Sequence, residues 1–203
     1  KTIGGYDPTP PTVSITSLSS NTVGTEDNLT ISWDASDNSI LDSAFIDIIY
    51  PDTTIRMDTI MAESGESTIA IPDSIVGSAN VQVTVWDYLH NEALADTSIT
   101  INDNTLPIFS INYPTSAISM LEYDALTVQW SGTDNIGVSE LTHLFTLEYS
   151  SDGESWQAVG GGLDTEFDIP AGITNEAQVR LTGTDTNGNE GIGYSELFAV
   201  TDN

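Results

Sequence analysis

The sequence contains no cysteine, so disulfides, zinc–thiolate centres and cysteine nucleophiles are excluded at once. Cations are almost as scarce. Lys1, Arg56 and Arg180 stand against 31 Asp and Glu, for a formal net charge of −28 over 203 residues. Such a surface cannot displace the counterions of a nucleic acid, and it is repelled by anionic lipid. No apolar run approaches the roughly 20 residues that a membrane-spanning helix needs. His90 and His143 are the only histidines, and neither has a Ser or Cys motif beside it. That argues against a catalytic triad and against a His-based metal site. Gly-x-Ser-x-Gly, Walker and dinucleotide fingerprints are missing too, and no segment combines a helical period with caps. What is present is a hydrophobic fraction of 38%, enough for a packed core.

The chain repeats itself. Leu29-Thr30-Ile31-Ser32-Trp33 is matched by Leu126-Thr127-Val128-Gln129-Trp130, 97 positions on, and Asp37-Asn38 recurs as Asp134-Asn135 at the same offset. Ile71-Pro72 recurs as Ile169-Pro170, and Asp87 with Asn91-Glu92 as Asp185 with Asn189-Glu190, both at 98. Pro11 to Ile15 pairs with Pro107 to Ile111 at 96, and Asp103-Asn104 with Asp202-Asn203 at 99. Matching blocks in order, with an offset drifting by a few residues, predict two homologous domains, 11–103 and 104–203. Residues 1–10 form an extended, Pro-rich incoming linker. The whole reads as a piece of a longer array.

Within each repeat the period is two: Val81, Val83 and Val85 around Gln82 and Thr84, and Phe145, Leu147 and Tyr149 around Thr146 and Glu148. These are half-buried strands, separated by turn clusters such as Asp152-Gly153 and Asp185 to Gly188. About seven short strands in under 100 residues, with a Trp on the second, predict an all-β chain of two tandem immunoglobulin-like β-sandwiches, cadherin- or fibronectin-III-like in type. Trp33 and Trp130 are expected to fill the cores.

Leu-Thr-(Ile/Val)-x-Trp, Asp-Asn and Asp-x-x-x-Asn-Glu, present in both halves, resemble the immunoglobulin-like and cadherin-like modules found in tandem in large secreted bacterial proteins. Asn102-Asp103-Asn104-Thr105-Leu106-Pro107-Ile108-Phe109 is similar to the cadherin linker, with an extra residue before the proline and Thr100 where the leading Asp would stand. The resemblance implies spacers, adhesin segments or accessory domains of secreted enzymes.

The sandwich topology also places the acidic residues. The incoming linker, the loop after the second strand and the final hairpin share one pole. Asp103 and Asn104, Asp134, and Asp185, Asn187 and Asn189 are therefore expected to gather at the domain junction. Asp7, Asp37 and Asp87 form the matching set in repeat one. Several carboxylate and amide oxygens at one place suit Ca²⁺, which would offset their repulsion and stiffen the hinge. High ambient salt, or dispersal of charge over the surface, would account for the acidity without an ion. Asp185-x-Asn187-x-Asn189 also matches the opening of an EF-hand loop, with Glu196 twelfth. However, Glu190 stands where that loop needs Gly, and the flanks are strands. A plain reading of Asp-Thr-Asn-Gly-Asn is a turn that uses residues tolerant of positive φ.

The function expected is non-catalytic: structural spacer modules of a large extracellular or cell-surface protein, an adhesin or appendage, stiffened by Ca²⁺. Neighbouring repeats of the same polypeptide are its partners, together with a cell-surface glycan or protein. The alternatives are a carbohydrate-binding or accessory module of a secreted hydrolase, with Tyr88, Trp156 and Tyr194 as stacking platforms, and a subunit of an extracellular filament donating residues 1–11 to a neighbour's sheet.

Overall fold

The computed structural model describes residues 7–51, 53–60, 65–136, 145–162 and 165–203. The chain divides into two compact units, Lys1–Asp103 and Asn104–Asn203. Every regular element among the described residues is a β-strand.

The first unit contains β1 (Thr12–Leu18), β2 (Thr22–Gly24), β3 (Asn28–Ser36), β4 (Leu41–Tyr50), β5 (Thr53–Ile60), β6 (Gly65–Ala70), β7 (Gly77–Asp87) and β8 (Glu92–Asn102). One sheet has the order β1-β3-β6 and the other β2-β8-β7-β4-β5. All pairs are antiparallel except β2 with β8, where Thr22 lies beside Thr100 and Gly24 beside Asn102. The period of two sends Val81, Val83 and Val85 of β7 inward, with Ala44, Ile46 and Ile48 of β4 beside them. From the other sheet Leu29, Ile31 and Trp33 meet them, so one core joins the two layers. These β-branched and aromatic residues are the types that pack well on a pleated surface.

One acid breaks the pattern. Asp47 on β4 is buried, with Arg56 of β5 donating to it from Nε at 2.5 Å and from Nη2 at 3.2 Å. The register shifts between Ile46, opposite Asp58, and Asp47, opposite Arg56. The extra residue, Met57, makes a bulge that aims the guanidinium at Asp47. Arg56 also lies 4.0 Å from the centre of the Phe45 ring.

The second unit contains β9 (Ile108–Tyr113), β10 (Ser119–Leu121), β11 (Ala125–Thr127), β12 (Gln129–Thr133), β13 (Phe145–Ser150), β14 (Gln157–Gly161), β15 (Glu166–Asp168), β16 (Thr174–Thr184), β17 (Glu190–Tyr194) and β18 (Phe198–Thr201). β9 pairs β12 and β11 pairs β15. β11 and β12 are parted only at Val128, whose N–H donates to Thr165 O at 2.8 Å, so they act as one strand. The larger sheet runs β10-β18-β16-β13-β14, with β17 and β18 as successive partners of β16. β10 is parallel to β18. This is the strand order of the first unit, so the chain holds two immunoglobulin-like β-sandwiches.

The two cores differ. The second is aromatic, with Phe109, Phe145, Tyr149, Phe167 and Phe198 buried. Trp130 is not the full counterpart of Trp33. Trp33 is 1% exposed, whereas Trp130 is half-buried, edge-on to Phe109 at 5.8 Å and Phe145 at 5.1 Å. The reason is volume: Phe109 stands where the first repeat has Val13, and its larger ring takes space that the indole would fill. That ring demands neighbours without side chains. A Cβ on Gly183 would lie 2.7 Å from Phe109 Cζ. On β17 the approach is closer still, since a Cβ on Gly191 would fall 1.9 Å from Pro107 O.

Candidate functional site

The Asp-x-x-x-Asn element builds the same hairpin in each unit. Asp87 Oδ1 accepts the N–H of Leu89 and of Asn91, each at 2.8 Å, and Oδ2 accepts Asn91 Nδ2–H at 2.7 Å. Asp185 Oδ1 accepts Asn187 N–H at 2.8 Å and Asn189 N–H at 2.9 Å, and Oδ2 accepts Asn189 Nδ2–H at 2.7 Å. The third residue of each turn has positive φ, 66° at His90 and 91° at Gly188. The motif is thus a turn device, with the carboxylate replacing a backbone acceptor. Burial raises the pKa of Asp87, but the hydrogen bonds from Asn91 and Leu89 outweigh it and hold the group below the ordinary carboxylate value.

The turn leaves each carboxylate facing two others. Asp7, Asp37 and Asp87 each place a carboxylate oxygen within 4.8 Å of the others. Asp103, Asp134 and Asp185 do the same. The members correspond pair by pair, Asp7 to Asp103, Asp37 to Asp134 and Asp87 to Asp185, at offsets of 96, 97 and 98. Each cluster takes one residue from the incoming linker, one from the segment after the second long strand and one from the last hairpin. In the first unit the linker is tied in by Asn91, whose Nδ2–H also donates to Asp7 O at 2.9 Å. Thr9 N–H donates to Asp7 Oδ1, lowering the pKa of that acid. The Ser39 hydroxyl lies 2.5 Å from Asp37 Oδ2 and 3.4 Å from Asp87 Oδ2, and its single proton can serve only one of them at a time. Ile136 stands at the matching place in the second repeat.

Of the other expected ligands, Asn189 is used within its hairpin, while Asn187 and Asn104 are exposed. Glu196 accepts Ser116 N–H at 2.7 Å, and β16 and β17 flank the Asp185 turn, so the EF-hand geometry is not formed. His90 is an exposed turn residue, and His143 lies outside the described residues. Neither described arginine serves a cluster, for Arg56 pairs with Asp47 and Arg180 with Glu148.

The aromatic residues separate. Tyr88, at the tip of the first unit's hairpin, is 58% exposed. Trp156 and Tyr194 come together on the second unit, centroids 5.8 Å apart and edge-on. Arg180 lies 4.5 Å from the Trp156 ring centre, and its Nε–H donates to Glu148 at 2.5 Å. The sequence did not reveal this group, because its members come from four segments. Only the cross-strand pairing of Glu148 with Arg180, and of Arg180 with Tyr194, joins them.

A scan against protein-family models gave no match, and neither did a search of curated proteins. Solved structures with a likeness include the fibronectin(III)-like modules of Clostridium thermocellum CbhA, at 13% identity, TM-score 0.37, and coverage of 94% of this chain and 95% of that one. A 1.5-MDa bacterial ice-binding adhesin gives 13% identity and a TM-score of 0.35, covering 97% of this chain and 67% of that one. The N-terminal four Ig domains of Dscam1 isoform 6.9 give 13% and 0.37, covering 89% of this chain and 43% of that one. At such values the fold assignment rests on the strand order and register described above.

Proposed function

We propose that the chain is a pair of non-catalytic spacer modules of a larger extracellular or cell-surface protein, and that each three-carboxylate cluster binds Ca²⁺. The observation that carries this reading is duplication. The same three acids are drawn together from the same three places in both repeats, in a chain whose acids outnumber its cations 31 to 3. Scattered surface charge has no reason to converge twice. Hard oxygen ligands of this kind suit Ca²⁺ better than Mg²⁺, which demands a small octahedral shell and keeps its water. The linker supplies one Asp to each set, so a bound ion would fasten the linker to the module it enters and restrict bending there.

Isothermal titration of the full chain with CaCl₂, against MgCl₂, tests the metal. Two calcium sites with weak or no magnesium response are expected. No calcium heat, together with a melting temperature indifferent to EDTA, would remove the ion and leave only acidic spacers.

A further inference from the structure

The outward face of the larger sheet in the second unit carries a group that neither the core nor the acidic clusters use. Glu148 on β13, Arg180 on β16 and Tyr194 on β17 sit in one cross-strand row. The Trp156 ring lies over Arg180 and against Tyr194, which is 50% exposed. The turn before Trp156 is fixed: Asp152 Oδ1 accepts Glu154 N–H at 2.9 Å and Ser155 N–H at 2.8 Å, and Gly153 takes a φ of 74°. The half-buried indole is therefore held on a stiff support, and little ordering would be needed to use it.

The first unit carries a related ion pair on this face. There Asp47, Gln82 and Asp96 form the equivalent row, and Arg56 of β5 pairs with Asp47 and lies over the Phe45 ring. What the second repeat adds is the Trp156–Tyr194 ring pair, set beside Arg180, the only Lys or Arg between residues 104 and 203.

We propose that this face binds a neutral oligosaccharide, with pyranose rings stacking on Trp156 and Tyr194 while Glu148 and Arg180 meet ring hydroxyls. Two aromatic rings set edge-on, the indole with Arg180 over it, and a neighbouring carboxylate match what a pyranose offers, an apolar C–H face and a rim of donors and acceptors. Charge selects the neutral class. Arg180 is already balanced by Glu148, and a chain of net charge −28 repels acidic glycans. The inference does not depend on the calcium reading.

The test is calorimetric titration of the full chain, in EDTA and in calcium, with cellohexaose, xylohexaose and mannohexaose, and with hexagalacturonate as the acidic counterpart. At least one neutral hexaose is expected to bind saturably. Trp156→Ala and Tyr194→Ala should each weaken it by about tenfold or more, with Trp156→Phe intermediate and Tyr88→Ala without effect. Melting curves of each variant check that the second unit remains folded. Absence of binding across the neutral panel overturns the proposal. So does binding that survives Trp156→Ala in a folded protein, or a preference for hexagalacturonate.

Discussion

Asp37→Asn is expected to reverse sign with the metal. The Asp37 and Asp87 carboxylates approach within 4.8 Å. Two unit charges at that separation near a protein surface repel by about 3.5 kcal/mol, and a Debye length of about 8 Å at physiological salt reduces this to about 2 kcal/mol. The amide removes that repulsion. It keeps an acceptor for Ser39 N–H, now 2.8 Å from Asp37 Oδ2, but weakens the bond from the Ser39 hydroxyl, a loss of about 1 kcal/mol. In EDTA the variant should therefore be more stable than wild type by about 1 kcal/mol, a rise of roughly 5 °C for a module of this size. In calcium the order should invert. An ion at one hundred times its Kd adds about 2.7 kcal/mol to the form that binds it, and the variant has lost a charged ligand. Scanning calorimetry of both proteins, with EDTA and with calcium, reads the crossover. A variant less stable than wild type in EDTA, or an equal calcium response from both, would refute the reasoning.

Three further outcomes follow from the geometry. Gly191→Ala should cost about 3 kcal/mol or more, because its Cβ would overlap a backbone carbonyl, Pro107 O, rather than a yielding side chain; an unchanged urea midpoint for the second unit contradicts the close β9–β17 approach. Tyr149→Phe should be neutral or stabilising by about 1 kcal/mol, since the Tyr149 hydroxyl is buried with no hydrogen-bond partner among the described residues and the ring is kept; a loss of more than about 1 kcal/mol in urea denaturation would mean that the hydroxyl is satisfied. Asp152 has its pKa lowered from 3.8 to about 2, first by the Ser155 N–H and then by Glu154 N–H and the Ser150 hydroxyl. The sign follows: its contribution is complete above 3.8 and disappears as the pH falls towards 2, so Asp152→Ala should flatten the acid limb of the melting temperature over that window, and an unaltered limb would exclude the role.

Much of the architecture was legible because repetition and period two are local signals. The offset of 96 to 98 that aligns Trp33 with Trp130 also pairs the six acids of the two clusters, and the shared pole of a sandwich indicated which loops would meet. What escaped was set by register. Nothing near Asp47 in sequence announces a buried acid with an ion-pair partner, which exists because a bulge at Met57 puts Arg56 opposite it. Trp130 was expected to be as buried as Trp33, but the exchange of Val13 for Phe109 elsewhere in the repeat redistributed the volume. The short pairings of β2 with β8 and of β10 with β18 carry no period of their own, each being three residues long. Gly160 and Gly161, a residue type that disfavours strands, nevertheless lie in β14, where a Cβ on Gly161 would come within 2.8 Å of Phe145 O.

The parallel alignment of β2 with β8, and of β10 with β18, has a mechanical consequence. In each unit the strand near the incoming chain lies beside a strand leading towards the outgoing chain, pointing the same way. Tension applied at the two ends therefore slides these neighbours along each other instead of unzipping them, and their bridging hydrogen bonds must yield together rather than one by one. A three-residue ladder is short, but loaded in shear it acts as a clasp, set one strand in from the incoming end of each unit.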